Sequence, residues 1–338
     1  MDNAELAALL EGWADVQEQN GSRGYRTRAY RTAAGRIATW PEPLEAMAKA
    51  GKDLQVIPGV GPSIAARIHQ VLAAGGWPEV QQEMAAPKAD HVRRPVRTGL
   101  WAALKGDLHS HTNATDGRDT MLAMAREAEA RGYEYVAITD HSKDTRVAGG
   151  LSEERMKLHL QRIRRLDQEL DGITVLAGAE VDILRDGRLD YPDALLQEMD
   201  VVVCSVHFRH KLTGPEQTAR ILAGMANDHA DILGHPTGRR EGLRPGMELD
   251  LERITDAAAD QGWALEMNGS PERMDLDAAG AKLCAAKGVL VSCDSDAHSL
   301  REFNQSRNAC REAERAGLTP KQILNTRGLR DLRKALRS

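Results

Sequence analysis

Residues 104–117 read LKGDLHSHTNATDG, a short strand-like run ending in two histidines one residue apart, then a turn-rich loop with a single acid. In an extended strand, side chains two apart share a face, so His109 and His111 project together, with Asp116 following in the loop. The same arrangement recurs down the chain. YVAITDH (135–141) ends in His141, TVLAGAEVDIL (174–184) carries Glu180, and VVVCSVHF (201–208) carries His207. DILGHPT (231–237) holds His235, WALEMNGS (263–270) holds Asn268, and VLVSCDSDAH (289–298) closes on Asp296 and His298.

Amphipathic helical patterns separate these runs at about 119–131, 152–170, 192–198, 215–228, 249–261 and 275–286, with two more near 300–316 and 320–336. Alternating strands and helices argue for parallel βαβ units. Seven strands predict a closed α/β barrel, with an open doubly wound sheet as the alternative. In such a barrel the C-terminal strand ends share one rim, where catalytic groups from several strands converge. An isolated strand-end histidine is more often an ordinary core or surface residue. Here nine side chains of metal-ligand type meet on one rim: His109, His111, Asp116, His141, Glu180, His207, His235, Asp296 and His298. Burying so many without cations would leave uncompensated charge at a cost of several kcal/mol each. Mixed imidazole and carboxylate ligation suits Zn²⁺, Mn²⁺ or Fe²⁺ better than Ca²⁺. His69, His91, His159, His210 and His229 fall on helices, in the linker or in a loop, and are expected to be ordinary surface or structural residues.

Residues 1–85 have a different character. Helical periodicity runs over 3–19, 24–38, 42–50, 53–57, 62–74 and 77–84, with no convincing strand. APKADHVRRPVRTG (86–99) contains two prolines and mixed charge, and residues 86–100 read as a linker to a domain over 101–338. The chain has 338 residues, a net charge of −5 and 41% hydrophobic residues. It lacks an apolar stretch of ~18 residues, and its first helix lacks the basic and apolar regions of a signal peptide. The expected location is cytoplasmic. The four cysteines form no CxxC pair, which excludes a zinc ribbon or thioredoxin-type motif. The mild acidity gives no global nucleic-acid signature, so any such binding comes from local patches.

Taken together, DLHSHTNATDG, AITDHS, GAEVDI, CSVHF, ILGHPTGR, LEMNGSP and SDAHS resemble the PHP (polymerase and histidinol phosphatase) family over roughly 105–300. The resemblance implies a distorted (β/α)7 barrel with three divalent metal ions, Zn²⁺ and/or Mn²⁺, with Fe²⁺ as an alternative. By motif position, His109, His111, Glu180 and Asp296 would hold one metal. Glu180 would bridge to a second, held also by His207 and His235, and Asp116, His141 and His298 would hold the third. Glu180, Asp296 and His111 are the expected catalytic core. Close-set metals of this kind lower the pKa of water towards ~7 and so provide a hydroxide nucleophile. Basic or polar side chains near the mouth would bind the phosphoester: Lys143, Arg209, Lys211, Arg239, Arg240, Asn268 and Arg273. Asp182 and Asp294 are expected in supporting roles.

VDILRDGRLDY, SVHFRH and GHPTGRR resemble most the PHP domain of bacterial family X DNA polymerases. The N-terminal block agrees. RGYRTRAYRTAAGRIATWP and LQVIPGVGPSIAARIHQVLAAG are similar to the small helical DNA-binding domain of those polymerases, and IPGVGPSIAARI has the form of a helix-hairpin-helix. Gly59 and Gly61 would allow a tight turn before a helix N-terminus, whose free N–H groups suit a DNA phosphate. Arg23, Arg26, Arg28, Arg31 and Arg36 could add phosphate contacts that position DNA without reading its sequence. Two departures matter. Only the linker separates the two blocks, so the polymerase catalytic domains are missing and nucleotide polymerisation is not expected. Arg67 stands where related lyase domains carry a Schiff-base lysine, and Arg does not deprotonate to act as an amine nucleophile. The expected function is DNA phosphoester hydrolysis in repair: a 3′–5′ exonuclease, a 3′-end phosphatase or phosphodiesterase, or an abasic-site endonuclease, with single-stranded, gapped or damaged DNA as partner. The alternatives are a small-molecule phosphatase acting on histidinol phosphate or a nucleotide, and a non-enzymatic DNA-binding adaptor.

Overall fold

The computed structural model describes residues 1–19, 25–78, 80, 94–208 and 210–336. Two compact units divide the chain, one built mainly on Met1–Asp90 and the other mainly on His91–Ser338.

The N-terminal unit is helical. Helices span Asn3–Gln19, Tyr25–Ala38, Leu44–Lys49 and Pro62–Ala74, with a 3₁₀ turn at Leu54–Val56. Its core gathers Leu6, Leu10, Trp13, Tyr30, Ile37, Leu44, Ile57 and Ile68, and Trp13 stacks on Tyr30 with ring centroids 4.0 Å apart. The two hairpin glycines do different work. Gly59 has φ +89, where a Cβ would also lie 3.2 Å from Thr32 Cγ2, so the turn requires glycine. Gly61 has an ordinary extended φ of −85 and caps the helix that Pro62 begins, with no side chain bonded to the helix end. The helix expected at 77–84 falls largely outside the described residues.

The second unit is a seven-stranded parallel sheet in chain order: β1 Gly106–Asp107, β2 Tyr135–Ile138, β3 Thr174–Asp182, β4 Val201–Ser205, β5 Ile232–Leu233, β6 Ala264–Asn268 and β7 Val291–Asp294. A parallel bridge between Ser110 and Ala297 brings the first and last strands together, with His111 N donating to Ala297 O at 2.8 Å. The barrel is nearly closed, as the strand–helix alternation implies. Inward-facing Leu108, Tyr135, Ala137, Leu176, Val203 and Ile232 fill it, and Leu324 and Leu332 from the C-terminal segment join the same core. Buried Asn325 secures that segment by bonding to Gly106 O at 3.1 Å and to both Cys293 N and Cys293 O, at 3.0 and 2.9 Å.

β1 is shorter than the run 104–112 suggested, for a physical reason. Beyond Asp107 the backbone N–H groups bond to side chains: Leu108 N to Asp294 Oδ1, Ser110 N to Thr139 Oγ1 and Thr112 N to Asp140 Oδ1, at 2.8, 3.0 and 2.9 Å. Helices follow the strands at Met121–Ala130, Glu153–Glu169, Asp193–Leu196, Gly214–Met225, Leu251–Gln261 and Ala278–Ala286. The last two expected helices are broken. A 3₁₀ segment Leu300–Gln305 precedes Ser306–Arg315, and two 3₁₀ turns precede Leu329–Ala335. The linker's end is also anchored: Arg94 grips buried Glu127, Nη2 to Oε2 at 2.7 Å, and Trp101 on the helix Gly99–Ala103 donates to Ser306 Oγ at 3.0 Å. Among the described residues no helix is long and apolar enough to cross a membrane.

Candidate metal centre

Each strand delivers its ligand-type residue to the same end of the barrel. Glu180, in the C-terminal half of β3, stands at the centre. Its carboxylate oxygens lie 2.8 Å from His235 Nε2, 2.9 Å from His141 Nδ1, 3.1 Å from His207 Nε2, 3.4 Å from His109 Nε2 and 3.6 Å from His111 Nε2. Asp296 faces it from beyond β7, with Oδ1 3.2 Å from His111 Nε2 and 3.6 Å from His109 Nε2. Asp116, 36% exposed and the most open of the set, lies 3.4 Å from both His141 Nε2 and His298 Nε2. His235 and Asp296 have φ of +27 and +52, in the left-handed region that non-glycine residues avoid. Strain held at two converging side chains is a mark of functional sites.

The donor set fits divalent cations. Ligand atoms of His111, Asp116, His141 and His298 lie within 4.8 Å of one another, as do those of His109, His111 and Asp296, and those of His141, Glu180 and His207. This grouping shares His111 and His141 between clusters, unlike the partition implied by motif position. His109 Nε2, His111 Nε2, His141 Nδ1 and His207 Nε2 are buried without a hydrogen bond, despite the carboxylates nearby. Buried polar atoms are otherwise almost always satisfied, and imidazole lone pairs converging on a cation would account for these.

The electrostatics follow from the packing. Burial alone would raise the carboxyls of Glu180 and Asp296, yet the surrounding imidazoles hold both well below the usual range. Burial would lower the imidazoles, but Glu180 lifts His141 to about 9 and His207 to about 10, and Asp116 and Asp296 lift His298 to about 9. His111 and His235 are pushed down to about 4, first by burial and then by neighbouring cations: His298 and His141 for the former, Arg273 for the latter.

The ligand residues are themselves held. His109 Nδ1 bonds Glu266 Oε1 at 2.8 Å, and Glu266 Oε2 accepts from His235 N at 2.6 Å. His207 Nδ1 bonds Asp182 Oδ1 at 2.9 Å. Asp140 accepts from Thr112 N at 2.9 Å and Thr115 Oγ1 at 2.5 Å, bonds His159 Nε2 at 2.8 Å, and so shapes the loop that carries Asp116. Asn268 donates to both Glu266 and Asp296, at 3.2 and 3.1 Å. Such supporting bonds typically contribute 10–100-fold to metal affinity. Asp140→Ala is therefore expected to weaken metal binding by ~10–100-fold with the fold retained, measured by metal titration of chelator-stripped protein; unchanged affinity would refute that role.

Glu266 was not singled out from sequence, although its position two residues before Asn268 on β6 places both on one face. The proposed phosphate-binding residues diverge. Arg273 reaches the centre, with Nε 3.1 Å from Asp296 Oδ2. Lys143 instead pairs with Glu153 at 2.7 Å, Arg240 pairs with Glu272, and Arg239 bonds the carbonyls of Arg273 and Met274. Lys211 is exposed, and Arg209 lies outside the described residues. Of the DNA-binding residues, Arg23 lies outside the described residues, and Arg26 and Arg28 are placed only by their backbone on the helix Tyr25–Ala38. Arg31 is partly exposed on that helix, and Arg67 stacks 4.8 Å from the centroid of the Trp77 ring.

Comparison with known proteins agrees with this architecture. Residues 1–76 match the helix-hairpin-helix domain and residues 107–270 the PHP domain. The chain is 37% identical over 231 residues to the DNA polymerase/3′-5′ exonuclease PolX of Bacillus subtilis, covering 68% of this chain but only 40% of that protein. It is 33% identical over 233 residues to a probable phosphatase of Syntrophotalea carbinolica, covering 65% of this chain and 90% of the relative. A histidinol phosphate phosphatase from Lactococcus lactis, solved with zinc, L-histidinol and phosphate, superposes with a TM-score of 0.49 at 20% identity, over 64% of this chain and 94% of that one. From the match along nearly the whole S. carbinolica protein, and from the seven-stranded barrel with its ring of ligand-type side chains, the chain belongs to the PHP family of metal-dependent phosphoesterases, hydrolases of phosphate esters, and carries a helix-hairpin-helix domain ahead of its PHP domain.

Proposed function

We propose that this protein hydrolyses phosphate esters of DNA, at 3′ ends or abasic sites of single-stranded, gapped or damaged substrates, in DNA repair. The observation that carries the reading is the presence, in one chain, of a helix-hairpin-helix and a barrel mouth with nine ligand-type side chains in place. His109, His111, Asp116, His141, Glu180, His207, His235, Asp296 and His298 would hold up to three divalent ions, Zn²⁺ or Mn²⁺. Bound there, these ions supply Lewis acidity and activate water at neutral pH.

The chain's own groups set the conditions for that chemistry. Glu180 and Asp296 stay ionised in a buried site and offset the positive charge the site would gather. His111 and His235 stay neutral, as ligation requires. Glu266 and Asp182 fix the ring orientations of His109 and His207. In the helical unit, the uncapped start of the helix Pro62–Ala74 presents free N–H groups to a phosphate, and the arginines of Tyr25–Ala38 add charge that binds any sequence. The matched PolX includes an exonuclease in its name, but this chain spans only 40% of it, so its activities are not transferred whole.

The named phosphatases support a second reading, a small-molecule phosphatase, because they align with the PHP portion alone. One panel separates the two. Full-length protein is assayed with Mn²⁺ and with Zn²⁺ on single-stranded, gapped and abasic DNA, 3′-phosphorylated DNA, histidinol phosphate and nucleotide monophosphates. We expect DNA to be turned over with kcat/KM at least ~10-fold above every small ester, because phosphate contacts from the helical unit add binding energy. Preference for a small ester, together with no DNA binding at low salt, would overturn the DNA reading.

A further inference from the structure

The loops after β5 and β6 are clasped to each other. Arg239 Nε donates to Arg273 O at 2.6 Å, and its Nη2 donates to Met274 O. In return, buried Asp275 accepts from Thr237 N and Thr237 Oγ1, each at 3.0 Å, and from Gly238 N at 2.9 Å. Glu241 N adds a bond to Glu272 O at 2.6 Å. Within the clasp Met274 takes a φ of +47, a conformation that costs a non-glycine residue ~1–3 kcal/mol and persists only where the surroundings enforce it. The consequence is local: Arg273 turns inward, its side chain only 18% exposed, with Nε on Asp296 Oδ2. Among the described residues its two Nη groups have no hydrogen-bond partner.

The geometry points to Arg273 as the side chain that meets the scissile phosphoryl group, with Arg239 and Asp275 as positioning residues that deliver it. A guanidinium fixed through Nε presents its remaining donors as a planar fork matched to two phosphate oxygens. Burial would favour loss of its proton, but Asp296, Glu180 and Glu266 keep it firmly charged. The neighbouring basic residues lack this disposition: Arg239 is bonded to carbonyls, Arg240 to Glu272 and Lys143 to Glu153. The inference rests on the phosphoesterase reading. Its rival is that Arg273 only orients Asp296.

The test uses full-length, Mn²⁺-loaded protein with p-nitrophenyl phosphate and single-stranded DNA as substrates. Inorganic phosphate binding is measured by calorimetry and metal content by mass spectrometry. Arg273→Ala is expected to keep its metal, to bind phosphate at least ~10-fold more weakly and to lose ~10²–10³-fold in turnover. Millimolar guanidinium should restore part of that turnover, whereas Arg273→Lys, which lacks the fork, should restore little. Arg239→Met should show a smaller loss of the same kind, because its effect passes through Arg273. Unchanged phosphate affinity in Arg273→Ala, or loss of metal in step with activity and no guanidinium rescue, would overturn the assignment. A wild-type protein that binds phosphate through Arg273 yet hydrolyses no ester would count against the phosphoesterase reading alone.

Discussion

Changing Glu180 to Gln is expected to strip the barrel mouth of most of its metal and to lower phosphate-ester turnover by ~10³-fold or more, while the protein remains folded. The magnitude follows from the position of the carboxylate. Glu180 is 1% exposed and lies within 3.6 Å of nitrogens from five histidines, so no other side chain of the set touches as many partners. Metal ions in such sites contribute several kcal/mol to the stabilisation of developing charge, and each 1.36 kcal/mol is about tenfold in rate. The amide of Gln has nearly the same volume, so the packing around β3 survives. Its charge is gone, however, and one of its two oxygens becomes an NH₂ that donates where a ligand must accept. The fold tolerates the change because the imidazoles that Glu180 holds protonated, His141 and His207, can shed their protons once it is neutral. Glu180→Ala would confound the result by adding a cavity. Metal content, turnover and a thermal melt on the same preparation decide the matter: full metal occupancy with turnover within a few-fold of wild type would show that Glu180 is not the hub of the centre.

The ease with which this site can be read from sequence has a physical basis. A ligand at the end of a parallel strand needs only its strand to be recognised, because the barrel then fixes its destination. His109, His141, Glu180, His207, His235 and Asp296 were all legible in this way. Glu266 was missed because an acid in the middle of an apolar run looks like an exception to burial rather than a buttress. Its shared face with Asn268 was the available signal. The basic residues were less legible for the opposite reason. Lys143, Arg239 and Arg240 sit on loops, and their long side chains take the nearest acid or carbonyl, which depends on tertiary contacts that spacing does not encode. The same limit applies to helix ends. The runs at 300–316 and 320–336 have helical periodicity, but their first turns tighten into 3₁₀ geometry where they pack beneath the barrel. Gly59 was legible in kind but not in cause: its turn demands a positive φ, whereas Gly61 simply begins the next helix.

Metal affinity should climb steeply with pH, and the stability of metal-free protein should fall over the same range. His141, His207 and His298 are lifted to about 9, 10 and 9, from an ordinary value of about 6.5, because carboxylates face each of them. A histidine whose folded pKa is raised stabilises the fold in its protonated form. That contribution is complete below the unfolded value, declines as pH rises above about 6.5 and is lost by about 10. The depressed carboxyls of Asp116, Glu180 and Asp296 act in the opposite range: their contribution is present above about 4 and is lost only as pH falls towards their folded values. Metal-free protein should therefore be most stable between about pH 4.5 and 6.5 and weaken through neutrality and beyond. Cations compete with the three imidazole protons, so each proton displaced makes apparent affinity rise about tenfold per pH unit. His111 and His235, already neutral, release none. Calorimetry of Zn²⁺ or Mn²⁺ binding at pH 7, in two buffers of different ionisation enthalpy, counts the protons directly. Melting temperatures of stripped and loaded protein from pH 6 to 9 should diverge as pH rises. His141→Ala should remove one proton from the count. Binding that releases no protons, with parallel melting curves across that range, would mean that these imidazoles are not the groups the cations displace protons from.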